Sequence, residues 1–523
     1  MLAILDTAVV HGLRGELVRV EVDVAPGLPS CQIVGLPDAA LSEARERVRS
    51  AIRNAGYQYP LSRITVNLAP ADRRKHGAAY DVAIAIGILL ASEQLRASGG
   101  PWALLGELSL DGGVMPIPGV LPMVATLRAS GHGRVCVPQE NVAEARLVSG
   151  VAVVGTAGLD EVARLIAGPR GRRAAVAQRR KPIRVSGPAA RSPVGEGPAV
   201  VEVAEVTELA DLRGQEQARW ALEVAITGRH NLLLVGSPGA GKTMLARAVP
   251  GLQPPLTEEE AREVAVIRSV AGLPTTAAEG LARPFRSPHH STSYAAMVGG
   301  GPRLRPGLVT LAHHGALFLD ELAEFDRNVL DALRQPLEDG EVEVVRAHGS
   351  VRYPARLQLI AAMNPCRCGW HGDLERSCRC PAREPARYAR RVSGPLLDRL
   401  EMRVVMPRIG AEQLVALDPP ENSAAVASRI REAWRRSLER NKGLPNGALR
   451  GRGLLRACGL ARSGRVAVTD ISAQLELTAR GVHRLLRVAR TIADLRGRGP
   501  VGPDELYAAA SLRDRSMELA EAA

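Results

Sequence analysis

The chain has 523 residues and a formal charge of +13, from 68 lysines and arginines against 55 aspartates and glutamates. That length predicts two to four domains, and 46% apolar content is ample for their cores. The positive balance favours a polyanionic partner such as nucleic acid, although solubility alone also accounts for it, and 3% aromatic residues exclude base stacking as a widespread device, leaving contact through phosphates.

Residues 1–168 alternate strand-like segments (17–24, 64–68, 151–154) with helical ones (39–55, 81–92), the pattern of an α/β unit. The first residues lack the cationic start and long apolar core of a signal peptide, and the apolar run 82–91 is too short for a bilayer. The expectation is a cytoplasmic protein without a membrane partner, whose seven cysteines are metal ligands or free thiols rather than a disulfide framework. Residues 169–200 carry eight cations against one glutamate, with proline and glycine and no apolar periodicity, and read as a flexible basic linker. Nucleic-acid contact through Arg172, Arg173, Arg179, Arg180 and Lys181 is the other reading of that charge.

Residues 201–410 read as a nucleotide-binding α/β core. The apolar run 231–235 precedes Gly236-Ser237-Pro238-Gly239-Ala240-Gly241-Lys242-Thr243, and a helix follows. Strand, glycine loop and helix is the context of a P-loop. Its backbone N–H groups and the helix N-terminus face phosphate; Lys242 reaches the β- and γ-phosphates, and Thr243 holds Mg²⁺. A second strand, 316–319, ends in Asp320-Glu321, as a Walker B strand does, with Asp320 for the Mg²⁺ shell and Glu321 to polarise the attacking water. A third, 357–362, delivers Asn364 either to orient that water or to cap the turn before Pro365.

Between these strands, 341–352 reads as a β-hairpin on which Arg346, His348 and Arg352 are DNA-contact candidates, the other reading being a solvated surface hairpin. Gly299-Gly300-Gly301-Pro302-Arg303-Leu304-Arg305 offers Arg303 and Arg305 in the same role, although turn chemistry alone explains it. Cys366-Arg367-Cys368 and Cys378-Arg379-Cys380 supply four thiolates suited to tetrahedral Zn²⁺, with free or redox-active thiols as the alternative; His371 is an unneeded fifth ligand. Cys31, Cys136 and Cys458 read as buried small hydrophobes. The pairs His289-His290 and His313-His314 are expected to point to opposite sides and to share no ion. A cation must also meet the developing γ-phosphate charge, and Arg399 and Arg480 are the candidates. Residues 411–523 form a helical lid domain, with its clearest helices at 424–440 and 479–496. Arg429, Arg431, Arg435, Arg436 and Arg440 around Trp434 read as a solvated face or, less directly, a DNA contact.

These motifs together resemble an AAA+ ATPase of the magnesium-chelatase-like branch, and more closely the YifB/ComM family, a competence-associated branch-migration helicase family. The matching strings include Phe285-Arg286-Ser287-Pro288-His289-His290-Ser291, Leu333-Arg334-Gln335-Pro336-Leu337-Glu338, Asn364-Pro365-Cys366 and Ala489-Arg490-Thr491-Ile492-Ala493-Asp494. The resemblance implies hexameric rings, with Arg399 as a finger reaching a neighbour's γ-phosphate, Arg480 as sensor 2, and Leu212-Arg213-Gly214-Gln215 near the adenine. It implies an ATP- and Mg²⁺-dependent motor on single-stranded or branched DNA in recombination or natural transformation. The alternative is a chelatase-like remodelling ATPase acting on a partner protein; a non-hydrolysing scaffold conflicts with the intact Lys242, Asp320 and Glu321. Lys75-His76-Gly77-Ala78-Ala79-Tyr80-Asp81 and residues 106–117 resemble the S5-like α/β fold of the Lon protease domain. At the two positions of that enzyme's Ser–Lys dyad stand Ala79 and Leu121, which neither attack nor carry a proton, so no protease is expected.

Overall fold

The computed structural model describes all residues except 36–38, 71–76, 99, 172–205, 275–279, 302–303, 347–348, 374, 411–417, 419 and 514–523. Most of the expected basic linker, with its five singled-out cations, lies outside the described residues.

The N-terminal part is a mixed α/β layer around a seven-stranded sheet. Its spatial order is Ser30–Val34, Arg63–Ala69, Arg14–Ala25, Leu2–His11, Ala103–Leu104, Arg134–Pro138, Ala152–Thr156. Leu2–His11 and Arg14–Ala25 form a long antiparallel hairpin, and from Leu2–His11 outward to Ala152–Thr156 the pairing is parallel. Alternate residues of these strands serve opposite faces. Val135 and Val137 meet helix Val120–Ala129, while Cys136 joins the core under helices Ala39–Asn54 and Asp81–Ala91. Helix Asp81–Ala91 is apolar almost all round and is accordingly buried. The one acid at its start, Asp81, is held by Arg47 at 2.8 Å and by the Leu108 N–H at 3.3 Å. Burial still pushes the Asp81 carboxyl up to about 6. Ala79 and Leu121 are both buried, and among the described residues neither place offers a nucleophile.

The second sheet has five parallel strands in the order Phe285–Arg286, Ala316–Leu319, Gln358–Met363, Leu232–Gly236, Met402–Met406. Near-continuous apolar runs are what a parallel sheet covered on both faces requires. Leu233, Leu317 and Leu359 look to one side, and Leu232, Leu234, Phe318 and Ile360 to the other. The latter core continues without a break into the C-terminal helices Ser423–Arg440, Gly451–Cys458, Arg462–Gln474, Ala479–Leu495 and Pro503–Ser511. Buried Glu401 seals that junction, paired with Arg487 at 2.6 Å and hydrogen-bonded to His230 at 3.2 Å.

Helix Glu258–Ala271 joins the two sheet layers. Its Ser269 carbonyl accepts from the Gly119 N–H at 2.8 Å and its Ser269 hydroxyl from the Leu121 N–H at 3.2 Å. Gly12, at the tip of the first hairpin, lies against Val351. No helix among the described residues is long and apolar enough to cross a membrane.

Candidate nucleotide site

Three neighbouring parallel strands end within about two residues of one another: Leu319 pairs with Ala361 and Val235 with Met363. The residues just beyond them are the P-loop, Asp320-Glu321 and Asn364, at the sheet's C-terminal edge where open α/β sheets take ligands. Buried Lys242 places its ammonium between the carbonyls of Gly236 (2.6 Å) and Ser237 (3.0 Å) and Asn364 Oδ1 (3.1 Å). Its burial lowers its pKa despite Asp320 and Glu321. Thr243 Oγ1 donates to Asp320 Oδ2 at 2.6 Å. Hydroxyl plus carboxylate is a hard-oxygen pair of the kind Mg²⁺ selects, and Lys242 supplies the adjoining positive charge for phosphate. Gly241 (φ +91°) is required here: a Cβ would come within 2.7 Å of Leu212 Cδ1. The segment thought to adjoin the adenine thus packs on the loop itself, and Gln215 Nε2 donates to the Ala240 carbonyl at 3.2 Å.

Glu321 has a left-handed backbone (φ +52°), a strained conformation for a glutamate and one that concentrates at functional sites. Its carboxylate meets His290 Nδ1 at 3.1 Å. This partner was missed in the sequence, where the histidine pairs had no role. The signal was in the strand register: Arg286 pairs with Leu317, and His290 and Glu321 each lie four residues further on.

Arg399 and Arg480 do not join this edge. Both line a cavity of about 1090 Å³ whose walls also include Arg484, Arg487, Glu259 and Glu260, and no P-loop residue. Arg399 is held there by Glu338 and by the Pro395 carbonyl at 2.7 Å.

The expected hairpin is present: Glu341–Arg346 pairs antiparallel with Gly349–Pro354. Val342, Val344, Val351 and Tyr353 face the core, while Arg352 is exposed and 3.7 Å from Glu343. Gly299–Gly300 pairs with Arg305–Pro306 in a second hairpin, and Tyr353 ties the two together by donating to the Leu304 carbonyl. His348, Arg303 and the side chain of Arg346 lie outside the described residues. The arginine-rich helix Ser423–Arg440 is only in part the solvated face expected of it: Arg431 and Arg435 are exposed, whereas the others are tied down. Arg429 binds Glu223 and Glu421, Arg440 binds Asp494 at 2.5 Å, Arg436 donates to the Asp494 carbonyl, and Trp434 lies under Arg283.

The four cysteines converge. Their sulfurs all lie within 4.8 Å of one another, with Cys366–Cys368 at 3.4 Å, Cys368–Cys378 at 3.6 Å and Cys366–Cys378 at 3.8 Å. Tetrahedral zinc with Zn–S of about 2.3 Å requires S–S separations of about 3.8 Å, so the set fits the ion. Cys136 and Cys458 are buried as expected, and Cys31 partly so.

The expectation that His313 and His314 diverge is wrong. The left-handed backbone of His314 (φ +58°) breaks strand alternation, and both Nε2 atoms meet Glu263 Oε2 at 2.9 Å. This is nevertheless a hydrogen-bonded cluster rather than a metal site. The Arg356 N–H donates to His313 Nδ1 at 3.0 Å, so the neutral ring carries its proton on Nε2 and has no lone pair there for an ion. Burial, with His314 alongside, pushes His313 down to about 4 and keeps it neutral.

Comparison with known proteins agrees with this architecture. Residues 208–414 match the family model "Magnesium chelatase, subunit ChlI", residues 20–141 "Subunit ChlI of Mg-chelatase", and residues 420–513 "Magnesium chelatase, subunit ChlI C-terminal". An uncharacterized protein of Mycobacterium tuberculosis (strain ATCC 25618 / H37Rv) is 42% identical over 522 residues, 96% of this chain and 97% of its own. YifB of Salmonella typhimurium is 41% identical over 527 residues, 98% of this chain and 97% of its own. Competence protein ComM of Haemophilus influenzae is 39% identical over 498 residues, 95% of this chain and 94% of its own. With its P-loop, its acid-bearing strand and these near-full-length relatives, the chain belongs to the YifB/ComM family of magnesium-chelatase-like AAA+ ATPases.

Proposed function

We propose that the chain is an ATP-hydrolysing hexameric motor that translocates on single-stranded or branched DNA, in recombination or natural transformation. The observation that carries the DNA part is the pair of adjoining hairpins, Gly299–Pro306 ahead of the strand that bears Asp320 and Glu341–Pro354 between that strand and the one that bears Asn364. Arg303, Arg305, Arg346, His348 and Arg352 are their candidate phosphate contacts, and the +13 charge suits such a partner. The competence name of one relative points the same way. Within the ATPase, Lys242 binds phosphate, Thr243 and Asp320 hold Mg²⁺, which supplies charge neutralisation, Glu321 takes a proton from water, and Asn364 orients that water. Arg399, in a cavity whose lining includes no P-loop residue, reaches a neighbour's γ-phosphate, and Arg480 acts as sensor 2. Cys366, Cys368, Cys378 and Cys380 hold structural zinc.

Steady-state ATP hydrolysis without DNA, with single strands, with duplex and with a four-way junction tests this, with Lys242→Ala as the blank. Stimulation greatest on forked or junction DNA is expected. Indifference to every DNA would instead favour a chelatase-like remodelling ATPase acting on a partner protein, a reading that the subunit ChlI matches along all three segments support.

A further inference from the structure

The four-cysteine loop begins two residues after Asn364, just beyond strand Gln358–Met363, and then folds back onto the phosphate loop. Gly369 (φ +87°) makes the contact: a Cβ there would lie 2.6 Å from Pro238 Cδ and 2.7 Å from Cγ. Only glycine lets the cysteine loop approach the P-loop this closely. Asp373 fixes the next turn, its Oδ1 accepting from the N–H groups of Glu375 (3.0 Å) and Arg376 (2.9 Å). Its Oδ2 is shielded from solvent without a hydrogen-bond partner, and the Ser237 hydroxyl pulls the carboxyl below its ordinary range. Trp370 lies between the guanidinium groups of Arg376 and Arg408, 4.5 and 6.0 Å from its ring centre, and so ties the loop to the chain beyond Met402–Met406. Most of the segment's other described side chains are exposed, so there is little apolar packing to order it.

We propose that this loop is a zinc-set brace for the phosphate loop: the ion at Cys366, Cys368, Cys378 and Cys380 holds Gly369 and Asp373 against Pro238 and Ser237, and so governs nucleotide affinity. The inference rests on the zinc reading above. A loop fixed before the ligand arrives loses less conformational freedom on binding. Gly369 and Asp373 are positioning residues that act through the P-loop.

The test is equilibrium binding of a fluorescent ADP analogue to the full-length protein, with zinc content and thermal melting measured on the same samples. One zinc per wild-type chain is expected. Cys378→Ser should lose both the zinc and nucleotide affinity. Asp373→Ala and Gly369→Ala should keep zinc and melting temperature yet weaken binding by about three- to tenfold, as lost preorganisation predicts. Wild-type affinity in both variants, with zinc retained, would overturn the brace. A wild-type protein free of zinc would overturn the zinc reading and with it a metal-set brace; weak binding by Asp373→Ala would then mark a metal-independent contact. Melting that falls in Gly369→Ala leaves Asp373→Ala, at unchanged melting temperature, to decide.

Discussion

Glu321 is the proposed general base, and its carboxylate is held by His290 at 3.1 Å. A general base must keep its free oxygen toward the water it deprotonates. Removing the imidazole frees the glutamate to rotate. His290→Ala should therefore cut kcat about tenfold or more while leaving the affinity for a fluorescent ATP analogue unchanged; parallel loss of affinity would place the histidine in the binding step instead. That the P-loop, Asp320 and Asn364 come together was legible because a P-loop and an acid-ended strand are local patterns, each read within a dozen residues. His290 was not, because its role depends on which strand lies beside the Walker B strand, and parallel neighbours leave no local mark. His313 and His314 escaped for a different reason: a positive φ at a non-glycine residue overturned the alternation on which their reading rested.

Helices and strands were read to within a residue or two at Ala39–Asn54, Asp81–Ala91 and Ala479–Leu495, where apolar period and length agree. Strand Leu2–His11 was missed, since Asp6 and Thr7 interrupt its apolar run. Harder to see was what charged faces are for. Arg429 binds Glu223 across the junction between sheet and lid, and Arg440 binds Asp494 within the lid, and long-range pairing of this kind has no sequence period. Glu401 is the acid with most at stake there. Burial alone would raise it, but Arg487 and His230 outweigh burial and hold it down at about 2. A carboxyl depressed in the folded state adds stability above its unfolded pKa, near 4.5, which is lost as pH falls toward 2. Glu401→Gln should destabilise the fold by about 3–5 kcal/mol in denaturant unfolding at pH 7, because Arg487 loses its buried counter-charge. The gap from wild type should narrow as the pH is lowered through that window; a gap independent of pH would mean that packing, not charge, holds the lid.

For the whole molecule, fold class followed from sequence, whereas the separation of catalytic groups did not. Arg399 and Arg480 share a cavity with no P-loop residue in its lining, and the proposed trans role of Arg399 follows from that separation. Mixing inactive Arg399→Ala chains with inactive Lys242→Ala chains should restore part of the ATPase activity, highest near equal proportions. No recovery at any ratio would mean that Arg399 does not serve a neighbour. The N-terminal layer has its own route into this machinery. Helix Glu258–Ala271 touches it through Ser269 near one end, while Glu263 nearer the other end clasps His313 and His314, just ahead of the strand that carries Asp320. Fourteen residues of helix measure about 20 Å, and a helix of that length is stiff. The first layer therefore sits at the end of a pushrod: a force that displaces it is delivered, without passing through the nucleotide, to the root of the acid-bearing strand.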